Sequence, residues 1–367
     1  MKTLKKAFLL AVAGVFLLGI FSGLALAQAK EAAKAPAETK IVLRLQSAFA
    51  AVLPALGECL PLFKEWVEAA SDGTIEVKYF DPGKLVPVFE IHDAVSTGKI
   101  EAGYTAPVYL AGKLPSTELF TYIPFGCDGP AYLGWFYSGN GLKLYQEAYD
   151  KAGYNLKAFP FAFLAPETAG WFRKAINKPE DLKGLSIRYP GLPGKVLQKL
   201  GASISLIPGG EIYQSLEKGA IDGTEFSNPA IDAKLGFYKV AKYNYFPGWH
   251  QPVTHLELVM NKDTWNKMSS RQKAVMELAV RAVTTYTLAK STAVQGSAIV
   301  ENAKHGVNNS VFSQEMLDLF KKTWLEVIEE ETAKDPMLKK IWEDYKAYEA
   351  EIRPFACIAY LPMPKCK

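Results

Sequence analysis

Arg188 closes the run Ser186-Ile187-Arg188-Tyr189-Pro190-Gly191 at what reads as a strand end. A guanidinium offers a planar fork of donors, pairs bidentately with a carboxylate and keeps its charge at any working pH. The chemistry open to it is capture of an organic acid, although a surface position is the usual fate of an arginine. Glu225 and Phe226 follow Asp222-Gly223-Thr224, and Glu167 stands four residues before Trp171. Carboxylates can ligate a cation or form an acid–base pair. With Asp+Glu 38 in the chain, a pair of the glycosidase kind stays open on sequence alone. Other chemistries lack their signatures. There is no Walker A motif, no G-x-G-x-x-G, no G-x-S-x-G elbow and no H-E-x-x-H, and Gly139-Asn140-Gly141 lacks a third glycine. The four His have no ligand spacing and the four Cys form no C-x-x-C, so a zinc site is not expected.

The chain that must position these residues has 367 residues, 49% hydrophobic and 22% charged, which is the composition of a globular protein. At roughly 150 residues per domain this length predicts about two domains. Lys+Arg 42 stand against Asp+Glu 38 with no basic block, so nucleic acid is not an expected partner. Residues 1–27 read as a secretory signal peptide. Lys2, Lys5 and Lys6 precede an apolar run from Ala7 to Leu24, and Ala25-Leu26-Ala27 is a small-x-small cleavage site. The rival is a membrane anchor, because the run nears the minimum spanning length. Cleavage after Ala27 would leave a nearly neutral chain with a flexible leader over 28–39, and would place it in the periplasm, where disulfides can form. Cys357 and Cys366 are predicted to pair. Cys59, within a helical pattern, and Cys127 remain undecided.

Ile41 to Leu45, Thr74 to Phe80 and Ala102 to Thr105 read as strands. A helical stripe over 54–70 and a short helix over 90–96 lie between them, with a turn at Asp72-Gly73. This is a β-α-β-α-β pattern, that of a mostly parallel sheet with covering helices. It recurs from Leu156 to Glu225, with strands at 156–163, 185–189 and 203–207 and helices at 179–182, 194–200 and 210–218. His255 to Met260 is a returning strand. Ser269 and Gln272 form a capping box at the head of a proline-free stretch reaching about His305, read as one long helix bracing both halves or as two helices broken near Gly296. Residues 314–332 and 336–352 are further helices.

Several separated segments carry a family likeness. They are Gly170-Trp171-Phe172-Arg173-Lys174, Lys178-Pro179-Glu180-Asp181-Leu182-Lys183-Gly184-Leu185-Ser186-Ile187-Arg188, Gly209-Gly210-Glu211-Ile212-Tyr213-Gln214-Ser215-Leu216-Glu217-Lys218-Gly219-Ala220-Ile221-Asp222-Gly223, Leu235-Gly236-Phe237-Tyr238-Lys239-Val240 and Tyr245-Phe246-Pro247-Gly248-Trp249. In this order and spacing the chain resembles the solute receptors of TRAP transporters (tripartite ATP-independent periplasmic transporters), and above all the branch that binds 2-oxo acids with a metal ion. The resemblance implies an α/β, two-lobed periplasmic-binding-protein-like fold with a hinge and a long helix spanning both lobes. Lobe I would comprise 40–160 with part of 253–300, lobe II 161–252, and residues 253–367 the bracing helix, the C-terminal helices and a tail.

The resemblance also assigns roles. Arg188 matches the arginine that holds the substrate carboxylate. Glu225 and Phe226 match a Glu-Trp pair whose carboxylate and following carbonyl ligate the metal; Phe in place of Trp keeps the carbonyl but gives a smaller wall without an N–H donor. Glu167 replaces a metal-ligating Gln. A second protein carboxylate beside a substrate carboxylate requires a cation between them, and raises the charge the site can neutralise. Ca²⁺, which takes six to eight oxygen ligands in flexible geometry, is therefore expected over Na⁺. Tyr109, or else Tyr104, would bring a hydroxyl to the ligand, and Phe49 an apolar wall. His250 and Gln251 stand where comparable receptors have Trp and Glu, and are expected to retune selectivity, His250 by a hydrogen bond to a ligand oxygen. The expected protein is a non-enzymatic periplasmic receptor that delivers a small 2-oxo or 2-hydroxy carboxylate to a sodium-driven TRAP membrane permease, with a homodimer through residues 336–352 as a further expectation. Two rivals belong to other classes: an extracytoplasmic carboxylate-dependent enzyme, which would show turnover, and a ligand-sensing subunit of a signalling system.

Overall fold

Eleven strands form two sheets in the computed structural model, which describes residues 38–359. The signal peptide, most of the leader and Cys366, hence the expected Cys357–Cys366 pairing, lie outside the described residues. The first sheet contains β1 (Ile41–Ser47), β2 (Ile75–Phe80), β3 (Ala102–Thr105), β4 (Leu156–Leu164) and β10 (Thr254–Asn261), in the order β2-β1-β3-β10-β4. The second contains β5 (Gly170–Phe172), β6 (Ser186–Arg188), β7 (Ser203–Ser205), β8 (Gly223–Thr224), β9 (Tyr243–Phe246) and β11 (Asn308–Val311), in the order β11-β9-β5-β8-β6-β7.

The sequence pattern predicts mostly parallel sheets, and each sheet departs from this by one reversed strand. β10 runs antiparallel to β3 and β4, and β5 runs antiparallel to β8 and β9, while β1 pairs in parallel with β2 and β3 and β6 with β7 and β8. Both reversed strands come directly after the chain has crossed from one sheet to the other, over residues 165–169 and 247–253. Each enters its new sheet from the cleft side, against the direction of its neighbours.

Local sequence accounts for most elements. In β1 the side chains alternate, with Ile41, Leu43 and Leu45 buried and Val42 and Arg44 exposed. β10 is buried throughout, as a central strand covered on both faces must be. The helix Cys59–Ala70 buries Cys59, Leu60, Phe63 and Val67 on one face; it starts later than the predicted 54–70 because Ala55 adopts a positive φ. Asp72 and Gly73, with φ of 50° and 74°, make the turn that the Asp-Gly pair announces. The capping box at Ser269 and Gln272 is present and opens the helix Ser270–Ala293. That helix ends at Val294 and a second, Gln295–Lys304, continues from it, so the brace is bent: its first arm packs on β4 and the helix Cys59–Ala70, its second on the helix Pro229–Lys234 beside β11. The helix Gln314–Thr332 packs on Gly191–Lys199 in the second lobe, and Pro336–Ala359 returns to the first. Cys59, buried, and Cys127 are free thiols, so they do not pair. Among the described residues no helix is long and apolar enough to cross a membrane.

Candidate functional site

The carboxyl ends of parallel strands are where an open α/β sheet presents its binding residues. Both sheets do so here, toward one cleft. Arg188 is the last residue of β6, and Glu225 follows β8, its neighbour; the Glu225 N–H donates to the Arg188 carbonyl at 3.0 Å. Phe49 follows β1, Tyr109 follows β3, and Glu167 follows β4. Thr254 opens the antiparallel β10 at the same edge. These residues line one small cavity of about 30 Å³. Its polar side is Glu167, Arg188, Glu225, Ser227, Gln251 and Thr254; its apolar side is Phe49, Leu56, Leu164, Phe226 and Leu256.

Glu167 and the pair His250-Gln251 sit on the two crossover segments that join the sheets. The segments are tied together, since the Glu167 N–H donates to the Gln251 carbonyl at 3.2 Å. Gly248 has to be glycine, because a Cβ there would lie 2.2 Å from the Glu167 carbonyl oxygen. Arg188 donates through Nη1 to the Glu225 carbonyl and, at 3.0 Å, to its Oε2, while its Nε reaches the Ile207 carbonyl at 3.2 Å. The guanidinium stands over the Phe226 ring, 5.5 Å from its centroid. Glu167 accepts from Thr254 Oγ1 at 2.7 Å and from Ser227 at 3.5 Å. His250 Nε2 lies 3.7 Å from Glu225 Oε1.

Arg188, Glu225, Glu167, His250 and Gln251 are all buried. Burial pushes the Glu167 carboxyl well above the usual carboxylate range, and the Glu225 charge adds to the effect. Burial also opposes ionisation of Glu225, but His250 and Arg188 outweigh it and hold Glu225 below that range. One carboxylate is thus ionised and the other resists ionisation, the electrostatic signature of a site short of one positive charge. The donor set fits a cation. Glu167, Glu225 and His250 offer ligand atoms within 4.8 Å of one another. The Gln251 amide faces the same point: with its nitrogen turned inward it donates to Glu167, to Glu225 at 3.1 Å and to His250 Nε2 at 3.2 Å. With its oxygen turned inward, it adds a third acceptor oxygen to those of Glu167 and Glu225, an arrangement that a cation relieves.

Not every residue singled out from sequence reaches this cavity. Tyr104 is buried behind Phe49, and its hydroxyl is spent on the Leu56 carbonyl at 2.8 Å. Tyr109 lines the cavity, with burial raising its pKa. His250 stands beside Glu225 with the other cation donors, a place the sequence did not give it. Thr254, Ser227 and the leucines of the apolar wall carried no signal, because their types are those of any strand end or core.

A family model of bacterial extracellular solute-binding proteins, family 7, matches residues 49–335. The chain belongs to this family, the solute receptors of TRAP transporters. It is 34% identical over 286 residues, 78% of either chain, to a monocarboxylate 2-oxoacid-binding periplasmic protein of Nostoc sp.. Among solved structures it is similar to a TRAP transporter solute-binding protein of Bordetella bronchiseptica, with a TM-score of 0.85 and 30% identity over 88% of this chain and 96% of that one; that protein was found as a mixed-occupancy dimer with copurified calcium and picolinate in its bound site. A Pseudoalteromonas atlantica receptor with bound sodium and pyruvate gives a TM-score of 0.83 and 32% identity over 88% and 97% of the two chains. The receptor is accordingly a periplasmic binding protein and not an enzyme.

Proposed function

We propose that this receptor captures a small 2-oxo or 2-hydroxy carboxylic acid, holds it against a cation, and hands it to a TRAP permease. The observation that carries the reading is the burial of one arginine with two carboxylates around one small cavity, Arg188 and Glu225 at 1% exposure and Glu167 at 2%. Arg188 takes the ligand carboxylate. Glu167, Glu225 and the Phe226 carbonyl hold the cation, with His250 and Gln251 beside it, and Tyr109 and Phe49 enclose the remainder of the ligand. The calcium, sodium, pyruvate and picolinate of the related structures support this assignment. Ca²⁺ is favoured over Na⁺ because two buried carboxylates and a ligand carboxylate leave more negative charge than a monovalent ion neutralises. The helix Pro336–Ala359, which carries Phe355 and Ile358 at 70% and 83% exposure, is the proposed contact of a homodimer.

A thermal-shift screen of the mature protein against small carboxylic acids, each with calcium or with chelator, tests this. Ligand at one hundred times its dissociation constant adds about 2.7 kcal/mol. Pyruvate or a related acid should raise the melting temperature with calcium and lose the effect with chelator. A shift insensitive to chelator removes the divalent cation, and no shift with any such acid removes the ligand class.

A further inference from the structure

The backbone turn that follows Arg188 is gripped from the opposite side of the cleft. Tyr122 donates its hydroxyl to the Pro190 carbonyl at 3.1 Å, and the Leu192 N–H donates to Glu118 Oε2 at 2.5 Å. Glu118 and Tyr122 belong to the first lobe, at and just beyond the short helix Glu118–Thr121 that packs on β10. Pro190 to Leu192 belong to the second, at the cap and first turn of the helix Gly191–Lys199 that follows β6. Glu118 and Tyr122 are buried at 3% and 1% exposure, yet neither lines the small cavity. Glu118 lines instead the larger cleft of about 500 Å³ beside it, which also borders Tyr109, Pro190 and Lys195.

Two features show that this contact is shaped for close approach. The Leu192 N–H is one of the donors that a helix leaves unsatisfied in its first turn, and a carboxylate is the natural partner for that end. Gly191 has a φ of 63°, and a Cβ on it would lie 2.5 Å from Tyr122 Oη, 2.6 Å from Glu118 Oε2 and 2.7 Å from Val108 Cγ2. All three atoms are on the first lobe, so the glycine is required by the other lobe as well as by its own left-handed backbone.

We propose that Glu118, Tyr122 and Gly191 form a closure latch. It fastens the turn that carries Arg188 to the opposite lobe, and so fixes the guanidinium in place only while the cleft is shut. The three are positioning residues, acting through the backbone of Pro190 to Leu192 and not by touching the ligand. The inference rests on the receptor reading, since a latch has a use only in a protein that opens and closes.

Gly191→Ala is the first test variant: the left-handed φ strains any side chain in either state, but the clash of the added methyl with the first lobe arises only when the lobes meet. Small-angle scattering of the protein without additions, and with pyruvate and calcium chloride as the probe, reads the closed fraction. Stopped-flow kinetics with the same probe reads release. Gly191→Ala should give a larger radius of gyration than wild type and release pyruvate at least about tenfold faster, with association changed by less than about twofold. Tyr122→Phe, which removes one hydrogen bond and nothing else, should speed release by about fivefold. Tyr122→Phe placed in the Gly191→Ala background should recover part of the closed fraction, because the nearest obstructing atom is gone; a merely structural fault would not be rescued. Scattering and release rates equal to wild type in both single variants overturn the latch. If wild type fails to bind pyruvate, the ligand assignment falls while scattering still decides the latch.

Discussion

Arg188 reaches the Glu225 carbonyl and carboxylate through one nitrogen, so an arriving acid enters a site whose positive charge is already engaged. A cation among Glu167, Glu225 and His250 would release that engagement. Truncating one member of a buried pair leaves the other uncompensated. Arg188→Ala should therefore abolish pyruvate binding in calorimetry with calcium present, and lower unfolding stability by about 3 kcal/mol in urea titration; pyruvate affinity within twofold of wild type would refute its role. Glu118 gives a different signal, because burial pushes its pKa up to about 7. In the unfolded chain it titrates near 4.3. Between those values the unfolded state releases a proton that the folded state keeps, so the stabilisation is full below about pH 4 and is lost as the pH rises to about 7. Glu118→Gln has no such loss. Relative to this variant, wild type should weaken by up to about 3 kcal/mol between pH 4.5 and 7.5 in urea midpoints, and parallel profiles would refute the raised pKa. Arg188 could be singled out because it closes a shared segment at a predicted strand end, and Glu167 and Glu225 because each stands within three residues of such a segment. Tyr109 was preferred to Tyr104 from the resemblance alone, since one lies in β3 and the other just beyond it, and only the packing sends the Tyr104 hydroxyl to Leu56 and leaves Tyr109 at the cavity.

The elements with clear hydrophobic periodicity were also legible, among them β1, β2, β10 and the helix Cys59–Ala70. β5, β9 and β11 were not. Gly-Trp-Phe and Tyr-Asn-Tyr-Phe are too short for a period, and Asn-Asn-Ser-Val is a polar edge held by its pairing with β9. The bend in the bracing helix was marked by Gly296 alone: the break falls at Val294, two residues before it, where the chain passes from packing on β4 to packing near β11. The start of that helix was fully announced by Ser269, whose hydroxyl accepts from the Gln272 N–H at 3.0 Å. Ser269→Ala should cost about 1 kcal/mol of stability, read as a shift of the urea midpoint with unchanged slope. No shift would mean that packing alone sets the end of the helix.

At the scale of the molecule, neither lobe is a continuous stretch of chain. The path leaves the first sheet after β4, returns for β10, leaves again at Val294, and comes back with Pro336–Ala359. Each lobe thus lacks a strand or a covering helix until the other has been traced. Unfolding should appear as one transition, with tryptophan fluorescence and far-ultraviolet circular dichroism coinciding in urea; separate midpoints would show lobes that melt independently.

The same interleaving governs how the molecule can be cut and rejoined. A protease nicking the 247–253 crossover would divide the polypeptide without freeing a lobe, because β10 and the helices after it remain woven into both halves. A reporter of acid uptake made from this receptor would therefore need its fluorophore inserted within a surface loop such as the Asp72-Gly73 turn, since fusing two separately expressed halves would present each with a sheet missing its reversed strand.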